Sequence, residues 1–265
     1  MNQEPFYFSS GEHRLFACHH RPRRDAADGP EHHVVVCNPI GHEYIRAHRA
    51  LRQLAIRLAN AGCHVLRFDY ACCGDSSGDG QATIAQWIAD VEQAVIQLQR
   101  RSHAARVCVV GLRLGANLAL LGAARSPAVD RLVLWSPVDT GGAYLDEIRS
   151  AHRAHLEALG EPVPEGAEAE ADLEVLGFQF SPQLIDDLGR LDASTAALDR
   201  RIDALRIAHA LPTNGDRVGA RLRDRGVSLE DQVIEGPRIW LAEPYEAIVP
   251  HQTLQTVVGW IGGRP

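Results

Sequence analysis

The stretch that decides the fold is Val109–Leu120, which reads VVGLRLGANLAL. The apolar run that ends at Val110 is typical of a buried strand, and helix-favouring residues follow from Leu114. Gly111 and Gly115 stand two residues before and two residues after Arg113. Glycines at this spacing permit a strand to turn sharply into a helix that packs closely on it. The stretch therefore predicts a strand, a tight elbow and a helix, with Arg113 at the tip of the elbow.

Length and composition favour a single α/β domain. The chain has 265 residues, of which 45% are apolar and 23% are charged. The net charge is -7 and the basic residues are scattered, so we expect no nucleic-acid surface. The N-terminus, MNQEPFYFSSGEHRLF, has no basic start followed by an apolar run, and no segment approaches the about 18 apolar residues of a membrane span. We therefore expect a cytoplasmic protein without a membrane span.

Cysteine and histidine spacing argues against a metal site. The six cysteines include no C-x-x-C pair, which removes the sequence support for a zinc ribbon or a thioredoxin-type site. Among the thirteen histidines, His152 and His155 could share a helix face, but no carboxylate follows at metal-site spacing. We therefore expect neither a metal nor a cofactor. The sequence does not indicate which oligomeric state the protein has.

Strand-like and helix-like segments alternate along most of the chain. Predicted strands are Pro5–Ser10, Arg14–His19, His33–Cys37, His64–Phe68, Arg106–Val110, Arg131–Trp135, Ala204–Ala210 and Asp231–Glu235. Predicted helices are Tyr44–Ala61, Thr83–Leu98, Leu114–Ala124, Arg217–Arg225 and Pro250–Ile261. Short alternating elements of this kind predict a mostly parallel central sheet with helices on both faces.

The alternation stops between residues 139 and 203. This segment is mostly helix-favouring and contains an acidic stretch from Gly160 to Asp172. We expect it to be a helical cap inserted between two strands. Residues 1–138 and 204–265 would then form the core domain.

Four motifs in this order resemble those of the α/β-hydrolase superfamily. In that superfamily the elbow reads G-x-S-x-G, with serine where this chain has Arg113. Cys37–Gly41 (CNPIG) resembles the first oxyanion-hole loop, and Phe68–Gly78 (FDYACCGDSSG) resembles the F-D-x-x-G-x-G-x-S-x-G loop. Asn214–Asp216 (NGD) resembles the loop that carries the triad acid. The resemblance implies the α/β-hydrolase fold, of the serine aminopeptidase-like type.

One branch of the superfamily is more similar still: the hydrolases associated with exosortase A systems, in which arginine at the elbow is familiar. The stretches that carry this resemblance are NPIGHEYIRAHRALRQLA (38–55), GLRLGA (111–116), VLGFQFSPQLIDDL (175–188) and EGPRIW (235–240). The resemblance implies an acyl or ester hydrolase from a bacterial biosynthetic or surface-polysaccharide gene cluster, acting on a small molecule.

Arginine cannot replace the serine chemically. Its guanidinium stays protonated and only donates hydrogen bonds, so it cannot attack a carbonyl. Asp216 stands where the resemblance places the triad acid. Glu246 falls near the usual histidine position, and His251 comes several residues later. The resemblance therefore implies a pseudo-triad of Arg113, Asp216 and either Glu246 or His251.

Two roles for Arg113 remain open at this point. A cation at a helix N-terminus is unfavourable by about 0.3–1 kcal/mol, so an acidic partner is expected. That partner could be Asp216, Glu246 or Glu43, which would make the elbow a structural lock. Alternatively, Arg113 and backbone N–H groups of Leu114 and of Ile40 or Gly41 would form a pocket for an anion or an oxyanion.

Other residues are candidates for accessory chemistry. Cys72 or Cys73 could supply a thiolate if a cationic pocket lowered its pKa, although an inert loop cysteine is the alternative. His42 and Glu43 could act as base and acid, or could be a solvated loop pair.

Three hypotheses about function follow. The first is a non-serine hydrolase or acyl-transfer enzyme for a small acyl or ester substrate, with Arg113 holding an anion. The second is a pseudo-hydrolase that binds a ligand or partner without turnover. The third is a scaffold subunit of a biosynthetic cluster.

Overall fold

The computed structural model describes residues 3–22, 32–162, 173–210, 216–242, 246 and 248–263. Its strands are β1 (Gln3–Ser10), β2 (His13–His20), β3 (His32–Cys37), β4 (Cys63–Phe68), β5 (Val107–Leu112), β6 (Val129–Trp135), β7 (Leu173–Val175), β8 (Phe178–Phe180), β9 (Asp203–Ala208) and β10 (Ser228–Val233). Eight of them form the central sheet, in the order β1-β2-β4-β3-β5-β6-β9-β10.

All neighbouring pairs from β4 to β10 run parallel, whereas β2 is antiparallel to both β1 and β4. The carboxyl ends of the parallel strands therefore meet along one edge of the sheet. The oxyanion-like loop after β3, the elbow after β5 and the segment that follows β6 all leave from this edge, which brings them together.

Helices cover both faces of the sheet. The helices are α1 (Gly41–Asn60), α2 (Ile84–Ser102), α3 (Leu114–Arg125), α4 (Gly141–Leu159), α5 (Pro182–Arg190), α6 (Arg217–Asp224) and α7 (His251–Ile261). The apolar sides of α2 and α3 belong to one core cluster, and those of α1 and α7 belong to another on the opposite face. Fully apolar strands such as β5, all of whose residues are buried, fit between these two layers.

The segment between β6 and β9 holds α4, the short strands β7 and β8, α5 and the 3-10 turn Ala193–Thr195. β7 and β8 form an antiparallel hairpin, which the helix-favouring composition did not predict. The hairpin turns at Leu176 and Gly177, both of which have positive φ angles (50° and 85°).

The other predicted elements are present with shifted ends. The largest differences are in α2, which ends at Ser102 and not at Leu98, and in the last strand, which lies at Ser228–Val233 and not at Asp231–Glu235. Asn214 and Gly215 of the expected acid loop, and most of the acidic stretch (163–172), lie outside the described residues. None of the helices in the described part of the chain combines the length and the apolar character that a bilayer crossing requires.

Candidate functional site

The elbow has a strained backbone. Arg113 adopts φ 56° and ψ -127°, a conformation that L-residues rarely occupy, directly before the first residue of α3. Its N–H donates to Trp135 O at 2.9 Å, and its carbonyl accepts from Ala116 N at 2.9 Å. The strand–elbow–helix unit predicted from the sequence is therefore present with arginine at its tip.

The two elbow glycines leave no space for a side chain. A Cβ on Gly111 would lie 2.5 Å from Ala116 Cα, and a Cβ on Gly115 would lie 2.7 Å from Cys37 O. The start of α3 thus packs directly on the end of β3. This close approach explains why the G-x-R-x-G spacing has both glycines although arginine stands where the superfamily has serine.

The Arg113 side chain points to two carboxylates. Its Nε donates to Glu43 Oε1 at 2.9 Å, and its Nη2 donates to Glu147 Oε2 at 2.6 Å. The side chains of Arg113 and Glu43 are 8% and 2% exposed, whereas that of Glu147 is 45% exposed. Glu43 is one of the three internal partners expected from the sequence, and the structure places it against the guanidinium.

Aromatic rings complete the surroundings of the guanidinium. The Arg113 Cζ lies 5.0 Å from the centroid of Trp240 and 5.8 Å from that of Tyr144. The Tyr144 hydroxyl also donates to Glu43 Oε2 at 3.3 Å. Glu43 and Glu147 therefore offset the positive charge, and two rings with favourable quadrupoles limit its contact with water.

Burial sets the electrostatics of this cluster. Desolvation raises the pKa of Glu43 to about 7, although Arg113 acts to lower it. Burial alone would lower the pKa of Arg113, but Glu43 and Glu147 outweigh it and raise that pKa above its ordinary value. The guanidinium therefore stays charged, and Glu43 is the group of the cluster that titrates near neutral pH.

His42 precedes Glu43 and is also buried, with 6% of its surface exposed. Desolvation, helped by Arg46 and Arg113, lowers its pKa to about 4. Among the described residues its Nδ1 has no hydrogen-bond partner. His42 is thus a neutral buried imidazole at neutral pH, and the solvated His42–Glu43 loop pair considered from the sequence is wrong.

Asp216 is not a partner of Arg113, which corrects the expected pseudo-triad. Its carboxylate accepts from Arg206 Nη1 at 2.5 Å and from Arg206 Nη2 at 2.8 Å, and it caps α6 by accepting from Gly219 N at 2.9 Å. Arg206 also donates to Asp231 at 2.6 Å. The hydrogen bonds from Arg206 lower the pKa of Asp216 to about 2. Asp216 is therefore bound by Arg206, a buried arginine on β9, and not by Arg113.

In the described part of the chain, neither alternative for the third triad position forms a hydrogen bond or an ion pair with Arg113. His251 is exposed at the start of α7, where its Nδ1 accepts from Arg57 Nη2 at 2.6 Å. Glu246 is exposed. Trp240, which belongs to the same connection between β10 and α7, is the residue whose ring lies against the Arg113 guanidinium. The ring of His209 packs on Trp240 at 5.4 Å.

A cavity of about 190 Å³ lies beneath the cap hairpin, and we call it the loop–cap cavity. It is lined by Asn38, Pro39, Ile40, Gly41, Tyr44, Asp69, Tyr70, Cys72, Cys73, Gly74, Gly80, Ala82, Trp87, Phe178, Gln179, Phe180 and Leu184. Arg113 and Leu114 do not line it. Phe180 closes it over the oxyanion-like loop, since a Cβ on Gly41 would lie 3.4 Å from the Phe180 ring.

The Cys73 thiol in the loop–cap cavity does not resemble an activated nucleophile. Burial, together with Cys72, Asp69 and Asp90, raises the pKa of Cys73 to about 12. Cys72 has a positive φ of 63°, and its N–H donates to Ser77 O at 3.0 Å within a tight turn. The suggestion that a cationic pocket acidifies this pair is therefore wrong for Cys73, whose charged neighbours are anions.

The expected convergence of backbone donors around Arg113 stays a prediction. Ile40 precedes α1 and Leu114 is the first residue of α3, so both lie at helix N-termini whose first N–H groups the helix does not use. The Arg113 guanidinium, however, points toward Glu43 and Glu147, and Ile40 and Gly41 face the loop–cap cavity.

Sequence reasoning missed Glu147, Tyr144 and Trp240. Tyr144 and Glu147 are one turn apart on α4, so a helical pattern could have paired them with each other. Only the folded position of the cap brings them to the elbow. Within the described ranges, no group of three or more histidine, cysteine, aspartate or glutamate side chains is arranged to hold a metal ion.

Comparison with known sequences identifies a family. Residues 30–176 match the family model described as serine aminopeptidase, S33. No curated protein gives a significant match to the chain.

Several solved structures share the fold at low identity. Est1E from Butyrivibrio proteoclasticus, solved with ferulic acid bound, has 16% identity and a TM-score of 0.65, covering 97% of this chain and 96% of that chain. An esterase from Pyrococcus furiosus has 14% identity and a TM-score of 0.62, with coverage of 98% and 90%. A proline iminopeptidase-related protein from Thermus thermophilus has 18% identity and a TM-score of 0.59, with coverage of 99% and 99%. These likenesses confirm the α/β-hydrolase fold.

Proposed function

The chain belongs to the serine aminopeptidase S33 family, and from that premise we propose that it is a pseudo-hydrolase that binds a small acyl or ester ligand without serine attack. The observation that carries the proposal is the Arg113–Glu43 ion pair at the elbow. A donor-only side chain, neutralised by buried carboxylate, stands where the family has its nucleophile, and no covalent acyl intermediate can form on it.

The loop–cap cavity is the proposed ligand site. A cavity of about 150 Å³ can hold a benzene ring, so 190 Å³ is sufficient for a small aromatic or short acyl group. Its walls are mostly apolar, and Ile40 and Gly41 come from the loop that supplies oxyanion donors in the family. Est1E, whose structure contains ferulic acid, provides an independent reason to test aromatic esters.

For Arg113 we propose the role of an anion-binding group. Its support is that the guanidinium already holds two carboxylates, at 2.9 and 2.6 Å. Arginine is the side chain best suited to carboxylate recognition, because its planar fork of N–H donors stays charged.

The remaining expectations from the sequence stay part of this proposal. These are a core of residues 1–138 and 204–265 with a cap of residues 139–203, membership of the exosortase-associated branch, a place in a biosynthetic gene cluster, and a cytoplasmic location. The GLRLGA elbow and the order of the matching stretches support the branch membership and the gene-cluster context, and the break in strand–helix alternation between residues 139 and 203 supports the cap.

Phenyl acetate tests the ligand site. We expect it to raise the melting temperature of the wild-type protein, and we expect a fluorophosphonate probe to leave the protein unlabelled. Ala82→Leu, which adds volume at a buried cavity residue, should abolish the thermal shift. Ala105→Leu, at an exposed alanine, should retain it. A shift that survives Ala82→Leu, or a labelled serine, would contradict the proposal.

A second candidate function is favoured by the pKa of Glu43, which is raised to about 7. A carboxylate with such a pKa could act as a general base near neutral pH. Glu43 would take a proton from water while the water oxygen attacks the ester carbonyl, and it would return that proton to the alkoxide oxygen as the bond from that oxygen to the carbonyl carbon breaks, which gives an acid and an alcohol.

This candidate predicts that the protein hydrolyses phenyl acetate faster than buffer alone. The hydrolysis rate should rise as the pH increases through about 7, and the Glu43→Gln variant should show only the buffer rate. If the wild-type protein gives only the buffer rate while the thermal shift remains, the enzyme hypothesis fails and the binding hypothesis stands.

A further inference from the structure

The two carboxylates on Arg113 differ in how firmly they are held. Glu43 is 2% exposed and accepts a second hydrogen bond from Tyr144, so its release would leave a buried charge. Glu147 is 45% exposed and belongs to the cap helix α4. If Glu147 turned away, its carboxylate would regain water at little cost, and Arg113 Nη2 would lose its anion.

Two buried aromatic rings flank the Arg113 guanidinium. Trp240 and Tyr144 lie 5.0 and 5.8 Å from the guanidinium carbon. Such surroundings favour a ligand that has an apolar body as well as an anionic group.

Two polar atoms near the elbow lack hydrogen-bond partners among the described residues: His42 Nδ1 and Ser136 Oγ. Both residues are more than nine-tenths buried. Ser136 directly follows Trp135, whose carbonyl accepts from Arg113 N, and has a positive φ of 46°. His42 lies close enough to Arg113 for the cation to affect its pKa. Buried polar atoms without protein partners are rare in folded proteins, and a bound water or a polar ligand group would satisfy them.

We propose that Glu147 occupies the position of a ligand carboxylate and that Arg113 binds an external monocarboxylate with an aromatic or aliphatic body when Glu147 leaves. Glu43 stays on Nε and keeps the guanidinium oriented. The incoming carboxylate takes Nη2, and its apolar body lies against Trp240. Binding involves no covalent step. This inference rests on the proposed role of Arg113 as an anion-binding group.

Benzoate and its neutral counterpart benzamide test the inference by calorimetric titration. Glu147→Gln removes the carboxylate that competes with benzoate for Arg113. We expect this variant to bind benzoate about fivefold more tightly than wild type, because a fivefold change in Kd corresponds to the free energy of a partly exposed ion pair. Glu147→Asp, which shortens the carboxylate arm, should give a smaller gain. Glu157→Gln, at an exposed position on the same helix, is the matched control and should bind as wild type does. Benzamide should not bind any of them.

The outcomes separate this inference from the proposed function. Equal benzoate affinity in wild type and Glu147→Gln, with binding lost in Arg113→Met, would overturn the role of Glu147 but keep Arg113 as an anion site. Absence of benzoate binding in every variant, or equal binding of benzamide, would overturn both statements about Arg113. Phenyl acetate binding in the loop–cap cavity is measured separately and does not depend on either result.

Discussion

Arg113 Nε donates to Glu43 Oε1 at 2.9 Å, which joins the tip of the elbow after β5 to the first turn of α1 after β3. In the family the same place is occupied by a serine that needs a base. Here the residue at the tip is a permanent cation and its neighbour is a carboxylate. Their attraction holds the two loops together, and the cation cannot attack a carbonyl.

Arg113→Met should destabilise the protein more at high pH. Without Arg113 to lower it, the pKa of Glu43 rises further above about 7. Between the pKa of an unfolded glutamate and this raised value the native state binds more protons, so stability falls as pH rises through that window. We expect a loss of about 3 kcal/mol at pH 8, the cost of breaking a buried pair, and a smaller loss at pH 6.

Guanidinium chloride unfolding at the two pH values measures this difference. Glu157→Gln, at an exposed position, serves as a control with no expected change. An equal loss at both pH values would mean that Glu43 does not take up the proton.

Arg113→Ser should not create a serine hydrolase. The substitution restores the G-x-S-x-G pattern, but Asp216 is held by Arg206, and an indole from Trp240 faces position 113. A serine without a base and acid reacts poorly, because no group takes its proton. We expect a fluorophosphonate probe to leave this variant unlabelled, with a known serine esterase as positive control. Labelling of the introduced serine would indicate that a nearby imidazole, such as that of His42, can act as its base.

Local patterns accounted for the fold and for one contact of the site. The elbow, the parallel sheet and Glu43 as a possible partner of Arg113 follow from glycine spacing, hydrophobic periodicity and loop order, all of which act over short stretches of sequence. Glu147 and Trp240 come from the cap and from the connection before α7, and their approach to the elbow depends on how these segments fold back. No local pattern carries that information.

The expected pseudo-triad was wrong for a related reason. The match of Asn214–Asp216 to an acid loop identified only a position along the chain and did not determine which side chain the acid binds. The partner of Asp216 is decided by Arg206 on β9, which is 4% exposed and needs two carboxylates to offset its burial. The available signal in the sequence was an arginine within the apolar stretch 204–208 (ALRIA), because an arginine in a buried strand needs acidic partners.

Gly115→Ala should separate the first turn of α3 from the end of β3. Its Cβ would lie 2.7 Å from Cys37 O and 2.8 Å from the carbonyl carbon of Asn38, and both are backbone atoms that cannot rotate away. We expect a loss of about 1–3 kcal/mol.

Gly189→Ala is the matched control, because a Cβ at this helical position meets nothing within 4 Å. It should stabilise the protein by about 0.5–1 kcal/mol through helix propensity. Both changes are measured by chemical unfolding, and a Gly115→Ala variant as stable as wild type would disprove the close packing of the elbow.

His19 should make the protein sensitive to acid. It stacks on His64 across the strands, with Nε2 3.1 Å from His64 Nδ1. Desolvation is the main cause that lowers the pKa of His19 from 6.5 to about 4, and the positive charges of His64, Arg101 and Arg21 act in the same direction. Glu4 acts in the opposite direction and raises this pKa. Between these two values the unfolded chain binds more protons than the native state, so stability falls as pH drops below 6.5 toward 4.

One pH unit in this window corresponds to about 1.4 kcal/mol, or roughly 3–6 °C in melting temperature for a chain of this size. His19→Gln removes the titrating group, so its melting temperature should fall less than that of wild type between pH 7 and pH 5.5. His155→Gln, at an exposed position, should follow the wild-type curve. Parallel curves for wild type and His19→Gln would show that protonation of His19 does not limit stability in acid.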